Sequence, residues 1–315
     1  MFRLFPDLSE DLLLNLFHKG VHAQWSSRDL DWESPLVFND AQCRALGRIL
    51  TPVYLGEQSA MLGAAAILPE MAEAGESTAQ VYLCSFMMDE GRHFEALTRL
   101  YRHMDQEPIP IRQMPSMLRY HHRLRQGDRV DWVWGILISD LFAKNFYQMF
   151  AKSQPQALFG DMSRRVLQDE SRHQAFADHY LKAAIAHLPP ERLVELRKMR
   201  DDLLRIMETM HSQLREDADC IDLDGAAFLE HLTTDIAQHA VRIGLDQPPE
   251  GPGGQRHRSV LAKTVDLSAA RPHFRPERTG RRPSLSRPAE AAGDDCDTCY
   301  LAAICRSRLM RAQAR

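Results

Sequence analysis

Two copies of the pentapeptide Asp-Glu-x-Arg-His stand out in this chain of 315 residues, DEGRH at 89–93 and DESRH at 169–173. In each copy the glutamate and the histidine are three residues apart, so on a helix both side chains project from one face. A carboxylate beside an imidazole, presented twice, is half of a two-metal site in a helix bundle. The doubled motif therefore predicts four metal ligands: Glu90, His93, Glu170 and His173.

Such a site needs one further carboxylate from each of two other helices. Glu57 lies in the stretch YLGEQSA ahead of Glu90, and Asp140 lies in GILISDLFAKNF ahead of Glu170. A carboxylate in an apolar helix is costly unless it is compensated, and a bound cation supplies that compensation. A single Glu-x-x-His pair is common on solvated helix faces. The chain instead has two similar halves, and this duplication favours the metal site.

The aspartate and the arginine of each motif have predicted roles of their own. A metal-bound histidine usually donates its second ring N–H to a carboxylate, which fixes its tautomer and orientation. We predict that Asp169 accepts from His93 and that Asp89 accepts from His173, crosswise between the halves. The arginines of the two motifs would neutralise these aspartates.

Two hard metal ions suit this oxygen and nitrogen donor set, as Fe/Fe or Mn/Fe rather than zinc, whose structural sites prefer thiolates. Four carboxylates and two imidazoles balance two divalent ions, and a reduced metal pair can bind and cleave O₂. The rest of the pocket would then decide which substrate is oxidised. Tyr54, one turn before Glu57, is the nearest oxidisable side chain by sequence. It either receives oxidising equivalents or is a hydrogen-bonded core tyrosine.

Apolar residues recur at helical spacing from about Ser9 to Leu245. This pattern predicts helices near 39–74, 76–104, 114–125, 130–152, 157–186, 190–216 and 224–243. Pro, Gly and polar residues mark the breaks between them. Some apolar residues of the metal helices are either core residues or substrate contacts: Leu62, Phe86, Met87, Phe94, Phe142, Phe146, Phe176 and Tyr180.

The composition changes after Leu245, where DQPPEGPGGQRHR begins an Arg- and Pro-rich stretch that runs to about Ala292. Such a composition buries too little apolar surface to offset its chain entropy. We therefore predict a helical domain over 1–245, a flexible linker over 246–292 and a patterned cysteine motif over 293–315.

The cysteine motif is Cys296-x2-Cys299-x5-Cys305. Three thiols at this spacing suit an iron–sulfur cluster or zinc, with a fourth ligand from elsewhere in this chain or from another chain. The fourth ligand could be Cys43, Cys220, His257 or His273. Redox disulfides and unligated thiols are the alternatives.

Composition and charge exclude several classes of protein. The net charge of −4 is too small to indicate a nucleic-acid or membrane partner. No apolar run approaches the roughly 18 residues that a membrane helix needs. The N-terminal stretch MFRLFPDLSEDLLLNLF contains acids where a secretory signal is apolar. These observations predict a cytoplasmic globular protein.

The six candidate ligands match the pattern of the ferritin-like di-metal carboxylate proteins. Within that group the chain most resembles the ribonucleotide reductase small subunit superfamily, and its ligand-binding oxidases in particular. The resemblance covers about residues 15–245 and includes HAQWSSRDLDW at 22–32 and the stretch 221–245. It implies an all-α fold, a ferritin-like four-helix-bundle core with additional helices. It also implies a homodimer that receives electrons from a reductase or ferredoxin.

Three departures from that pattern bear on activity. Leu97 occupies the place of the reductase radical tyrosine, four residues past the first histidine. Ser59 replaces the valine that the oxidases crosslink to a tyrosine, and no tyrosine lies near Gly135. Asp140 replaces the more usual glutamate. The resemblance thus implies an oxygenase or oxidase. The alternatives are a ribonucleotide reductase-type radical generator and an iron-storage or peroxide-detoxifying protein.

Overall fold

The computed structural model describes residue 8 and the ranges 11–34, 36–154 and 156–247. Within them it contains helices and no strand. The α-helices are α1 (Asp11–His22), α2 (Asp40–Ala74), α3 (Ser77–His103), α4 (Pro115–Leu124), α5 (Arg129–Ser153), α6 (Leu158–Ile185), α7 (Pro190–Gln213), α8 (Arg215–Cys220) and α9 (Gly225–Arg242). Short 3₁₀ helices lie at Ser27–Asp29 and Ile111–Gln113. The all-α fold that the resemblance implied is confirmed for the described residues.

Four long helices form the bundle. α2 packs on α3 and α5 packs on α6, and the two pairs meet through contacts of α2 with α5 and of α3 with α6. Only Gly75 and Glu76 separate α2 from α3, so the chain turns back at once. Gly75 allows this turn because its φ is 77°, in the left-handed region that favours glycine. Each half predicted from the doubled motif is therefore one helix pair.

Local signals explain where the bundle helices begin. Asn39 caps α2 by accepting from the backbone N–H of Gln42, and the Gln42 side chain accepts in return from the backbone of Asn39. Asp128 and Asp131 form the same reciprocal capping pair at the start of α5. Each cap satisfies backbone groups that the first turn of a helix leaves unpaired.

Close contact between α2 and α5 depends on a missing side chain. A Cβ atom added to Gly63 would lie 1.8 Å from Nε1 of Trp132, which is buried against the bundle. The two helices can approach this closely only because position 63 carries no side chain. This approach brings the carboxylates of α2 and α5 to the same interior.

The remaining helices cover the bundle. α1 packs on α3 and α6, whereas α8 packs on α2 and α9 packs on α5. α7 contacts α4 and α5. None of the helices in the described part of the chain is both long and apolar enough to cross a bilayer.

Two predictions about the elements differ from the structure. The helix α1 was not among the predicted segments, and the predicted helix 190–216 ends at Gln213, where Leu214 separates α7 from α8. The linker beyond Gln247 and the cysteine motif lie outside the described residues. The predicted division at Leu245 therefore stays a prediction.

Candidate metal centre

Six side chains from four helices meet in the interior of the bundle. α2 supplies Glu57 and α5 supplies Asp140, while α3 and α6 each supply a Glu-x-x-His pair. One ligand atom from each of Glu57, Glu90, His93 and Glu170 lies within 4.8 Å of the others. The same holds for Asp140, Glu170 and His173. Glu170 belongs to both groups, so the arrangement offers two adjacent sites that share one carboxylate.

The two ring nitrogens of each histidine face different groups. Nδ1 of His93 lies 3.4 Å from Oε2 of Glu57, and its Nε2 lies 3.0 Å from Oδ2 of Asp169. Nδ1 of His173 lies 3.2 Å from Oε1 of Glu90, and its Nε2 lies 3.3 Å from Oδ2 of Asp89. A carboxylate that accepts from Nε2–H fixes the tautomer in which Nδ1 keeps its lone pair. Both lone pairs then point towards the cluster.

Every one of the six residues has a buried polar atom without a hydrogen-bond partner among the described residues. These atoms are Oε1 of Glu57, Oε1 of Glu90, Nδ1 of His93, Oδ2 of Asp140, Oε2 of Glu170 and Nδ1 of His173. A buried polar atom left unpaired costs about 1–3 kcal/mol, and such atoms are rare in native proteins. All six can act as metal ligands, so the donor set fits a pair of cations.

The carboxylates also crowd one another electrostatically. Burial and the neighbouring Glu57 and Glu170 raise the pKa of Glu90 well above its usual value. Burial and Glu170 do the same to the pKa of Asp140. Burial acts against a charged His173, but the nearby carboxylates of Asp89 and Glu170 raise its pKa to about 10. Cations placed among these groups would compensate the negative charge that the carboxylates cannot hold side by side.

A second layer of charged groups lies behind the histidines. Arg92 NH2 lies 3.0 Å from Asp169 and Arg172 NH2 lies 2.9 Å from Asp89, and each arginine also contacts the aspartate of its own motif. Trp25 Nε1 donates to Oδ2 of Asp169 at 2.8 Å. Although burial opposes ionisation, the hydrogen bond from His93 and the charges of His93 and Arg172 lower the pKa of Asp169. The two aspartates thus stay negatively charged, and they orient the histidines.

An apolar pocket opens onto the carboxylates. It encloses about 560 Å³ of empty space, its open mouth included, and Glu57, Glu90, Asp140 and Glu170 form one side of it. The other lining residues are mostly apolar: Pro52, Val53, Gly56, Ala60, Met117, Tyr120, Leu124, Ile136, Ser139, Phe142, Ala143, Met207 and Met210. The Tyr120 and Ser139 hydroxyls lie 2.8 Å apart and add polar groups to this lining.

A second apolar cavity of about 480 Å³ adjoins the first, with Pro52, Phe142 and Met210 common to both linings. Among the apolar residues that the sequence offered as core residues or substrate contacts, Phe142 lines both cavities and Phe146 lines the second. Residues of α4 and α7, which the sequence did not single out, form much of the wall. Their contribution depends on contacts between helices rather than on any local pattern.

Two aromatic residues near the cluster were missed by the sequence analysis. Tyr147 is fully buried, and its hydroxyl has no hydrogen-bond partner in the described part of the chain. Burial and the carboxylates of Glu57, Glu170 and Glu90 raise its pKa well above the usual value. Tyr147 is two helical turns from Asp140, a spacing that could have indicated its position. Trp25 lies in the lead-in segment, where nothing in its immediate sequence indicates a contact with Asp169.

The remaining predicted site residues are Tyr54 and the three C-terminal cysteines. The Tyr54 hydroxyl lies 3.1 Å from Thr98 Oγ1, and its ring stacks on Phe94 with centroids 4.6 Å apart. Its suggested redox role stays a prediction. Cys296, Cys299 and Cys305 lie outside the described residues, so the iron–sulfur or zinc prediction is untested.

Comparison with known proteins shows which fold this is. A scan against protein-family models and a search of curated proteins find no match. Solved structures do match. One is an R2-like ligand-binding oxidase with an aerobically reconstituted Mn/Fe cofactor, at 15% identity and a TM-score of 0.56, which covers 76% of this chain and 94% of that one. Another is a Synechococcus protein with aldehyde deformylating oxidase activity, at 18% identity and a TM-score of 0.56, which covers 66% of this chain and 95% of that one. At these identities the likeness shows a shared ferritin-like fold.

Proposed function

We propose that this protein is a di-metal oxidase or oxygenase that binds two iron ions, or one manganese and one iron, and oxidises a small organic substrate with O₂. The observation that carries the proposal is the set of six buried ligand atoms without partners, which converge from four helices. The fold shared with proteins described as Mn/Fe and aldehyde deformylating oxidases supports it. When bound, the metals would supply the electrons and the Lewis acidity for O₂ chemistry.

The residues of the chain would bind the metals, exclude water and orient the substrate. Glu57, Glu90, Asp140 and Glu170 would hold the metals on the side of the pocket, and the histidines would bind through Nδ1. The apolar walls would exclude water and hold an apolar substrate next to the carboxylates. The Tyr120 and Ser139 hydroxyls would orient a polar group of that substrate.

The leucine at position 97 disfavours the radical-generator alternative. Leu97 is buried in the core and cannot be oxidised to a stable radical. A reductase or ferredoxin as electron donor, a homodimer and a cytoplasmic location complete the proposal, and each rests on the sequence alone.

Metal analysis tests the proposal. Purified protein loaded anaerobically with Fe(II) should bind two metal ions per chain and consume O₂, and Glu90→Ala and His173→Ala should each lose most of that metal. Glu95→Ala is the control on the same helix, because Glu95 is exposed and pairs with Arg99. Full metal occupancy in both ligand variants would rule out the assignment. A long-lived tyrosyl radical formed in stoichiometric yield would favour the radical generator instead.

A further inference from the structure

Three aromatic rings form a continuous stack between the bundle interior and its surface. The ring centroids of Tyr82 and Phe176 lie 4.3 Å apart with an interplanar angle of 15°. Those of Phe176 and Tyr180 lie 5.7 Å apart with an angle of 22°. All three rings are buried, and nothing in the proposed metal binding uses them.

The inner end of the stack lies beside the candidate metal centre. On α6, His173, Phe176 and Tyr180 are spaced by three and then four residues, so they share one face of the helix. On α3, Tyr82 is one turn from Phe86, whose ring centroid lies 4.4 Å from that of His173. Phe86 thus contacts a candidate ligand and lies one helical turn from the inner ring of the stack.

The outer end of the stack carries a proton acceptor. The Tyr180 hydroxyl donates to Oε2 of Glu76 at 2.8 Å. Arg129 holds that carboxylate in place with Nε and NH2 contacts of 2.8–3.1 Å. The Glu76 side chain is 29% exposed, so a proton placed there can exchange with water. The Tyr82 hydroxyl, in contrast, is buried without a partner among the described residues.

We propose that Tyr180 is a one-electron donor to the candidate metal centre, with Phe176 and Tyr82 as the stacked bridge. If the centre held its metals and O₂ had oxidised them while no substrate occupied the pocket, Tyr180 would supply one electron to the centre. The phenolic proton of Tyr180 moves to Glu76, so the product at position 180 is a neutral phenoxyl radical. An external one-electron reductant, together with the proton held by Glu76, restores the phenol.

Charge disfavours the alternative donor nearest to the histidines. The Trp25 ring stacks on His93, but the guanidinium carbons of Arg92 and Arg165 lie 5.5 and 6.0 Å from its centroid. Cations over an aromatic face are attracted to its electrons, and removal of an electron would turn that attraction into repulsion. Among the described residues no guanidinium lies over a ring of the stack; Arg129 lies beside the Tyr180 hydroxyl instead, and that hydroxyl already donates to the Glu76 carboxylate. The carboxylate that accepts from its hydroxyl therefore favours Tyr180 over Trp25 as the electron donor.

The inference rests on the proposed function, so the test measures metal content, O₂ consumption and radical formation in one sample. Full-length protein loaded with Fe(II) is mixed with O₂ without added substrate and freeze-quenched for electron paramagnetic resonance. We expect a transient tyrosine radical, identified by the collapse of its hyperfine splitting on ring deuteration of tyrosine. A nitroso spin trap should give its main peptide adduct at Tyr180. Ascorbate should remove the signal.

Variants locate the radical. Tyr180→Phe should lose most of the signal and the adduct, Tyr82→Phe should slow its appearance, and Glu76→Gln should reduce it by removing the proton acceptor. Tyr101→Phe is the matched control, since Tyr101 is a buried α3 tyrosine whose hydroxyl donates to the Gly47 carbonyl. It should keep the signal.

Two results would overturn the inference. If metal binds and O₂ is consumed but the signal survives in Tyr180→Phe, or is lost instead in Tyr147→Phe or Tyr54→Phe, Tyr180 is not the donor, while the proposed function stands. If no metal binds or no O₂ is consumed, both proposals fail together.

Discussion

At the level of single residues, the most important feature of the candidate site is that the two ring nitrogens of each histidine have different partners. Nε2 of each ring faces an aspartate from the other half, and Nδ1 faces the carboxylate cluster. The aspartates in turn contact both arginines of the doubled motif. A change in this layer alters the orientation and basicity of a ligand without removing any ligand.

Asp169→Asn should therefore keep the fold and weaken metal binding. Loss of such a partner typically costs roughly 10–100-fold in metal affinity or activity. A chelator competition titration measures this change, and circular dichroism checks the helix content. Asp161→Asn is the control on α6, because Asp161 is partly exposed and forms ion pairs with Arg164 and Arg165 of its own helix. Unchanged affinity in Asp169→Asn would show that this aspartate does not serve the site.

Tyr147 offers a test of the unpaired groups around the cluster. Its buried hydroxyl has no partner within the described residues, so Tyr147→Phe removes an unsatisfied group. We expect the metal-free protein to keep its stability or to gain up to about 1 kcal/mol. Tyr101→Phe should instead lose about 1 kcal/mol, because it breaks the 2.7 Å bond to the Gly47 carbonyl. Denaturant unfolding of both variants gives the comparison, and a clear loss in Tyr147→Phe would contradict it.

At the level of the helices, the tightest constraint is the contact between α2 and α5. Gly63→Ala places a Cβ atom 1.8 Å from Trp132 Nε1, so the indole or a helix must move. The expected loss is about 1–3 kcal/mol in the free energy of unfolding. Gly56→Ala on the same helix meets nothing within 4 Å and should be neutral or stabilising by up to about 1 kcal/mol. Equal effects of the two substitutions would show that the helices do not approach this closely.

Most helix bounds could be predicted because their signals are local. Asn39, Asp128 and Asp224 cap the helices that follow them, and Gly75 ends α2. The helix α1 was missed because an isolated helix of 12 residues is only marginally stable. Its packing on α3 and α6 leaves no signal in the sequence of the segment itself. The break at Leu214 contains neither Pro nor Gly, and it coincides with the packing of α8 on α2.

Prediction of the candidate site from the sequence has the same limit, because only local patterns can be used. Helical spacing and apolar context predict which carboxylates and histidines share a helix face, so they indicate the ligand set. The pocket wall from α4 and α7, the position of Tyr147 and the contact from Trp25 all depend on how helices pack. A single sequence carries no direct signal of those distances.

At the level of the whole molecule, the helical domain is expected to fold without the C-terminal part of the chain. A chain that ends at Gln247 should be soluble and helical and should load the metal site. A chain that ends at Leu245 also loses the ion pairs of Asp246 with Arg197 and Arg200 on α7. These pairs are partly exposed, so the further loss should be about 1 kcal/mol or less.

Thermal unfolding and metal analysis of the two shortened chains and the full chain test this boundary. Aggregation of the chain that ends at Gln247, or a much lower melting temperature, would show that later residues stabilise the bundle.

The crosswise contacts between the halves have a consequence for the order of events in folding. His173 and Asp89 are 84 residues apart in the chain, and His93 and Asp169 are 76 apart. Contacts of such long range form only after the large loops between them have closed, whereas each helix pair can form from nearby residues. Neither pair alone supplies both the ligands and their orienting aspartates. A newly synthesised chain would therefore acquire tight affinity for a redox-active metal only once both halves have docked, and incomplete chains would not accumulate it.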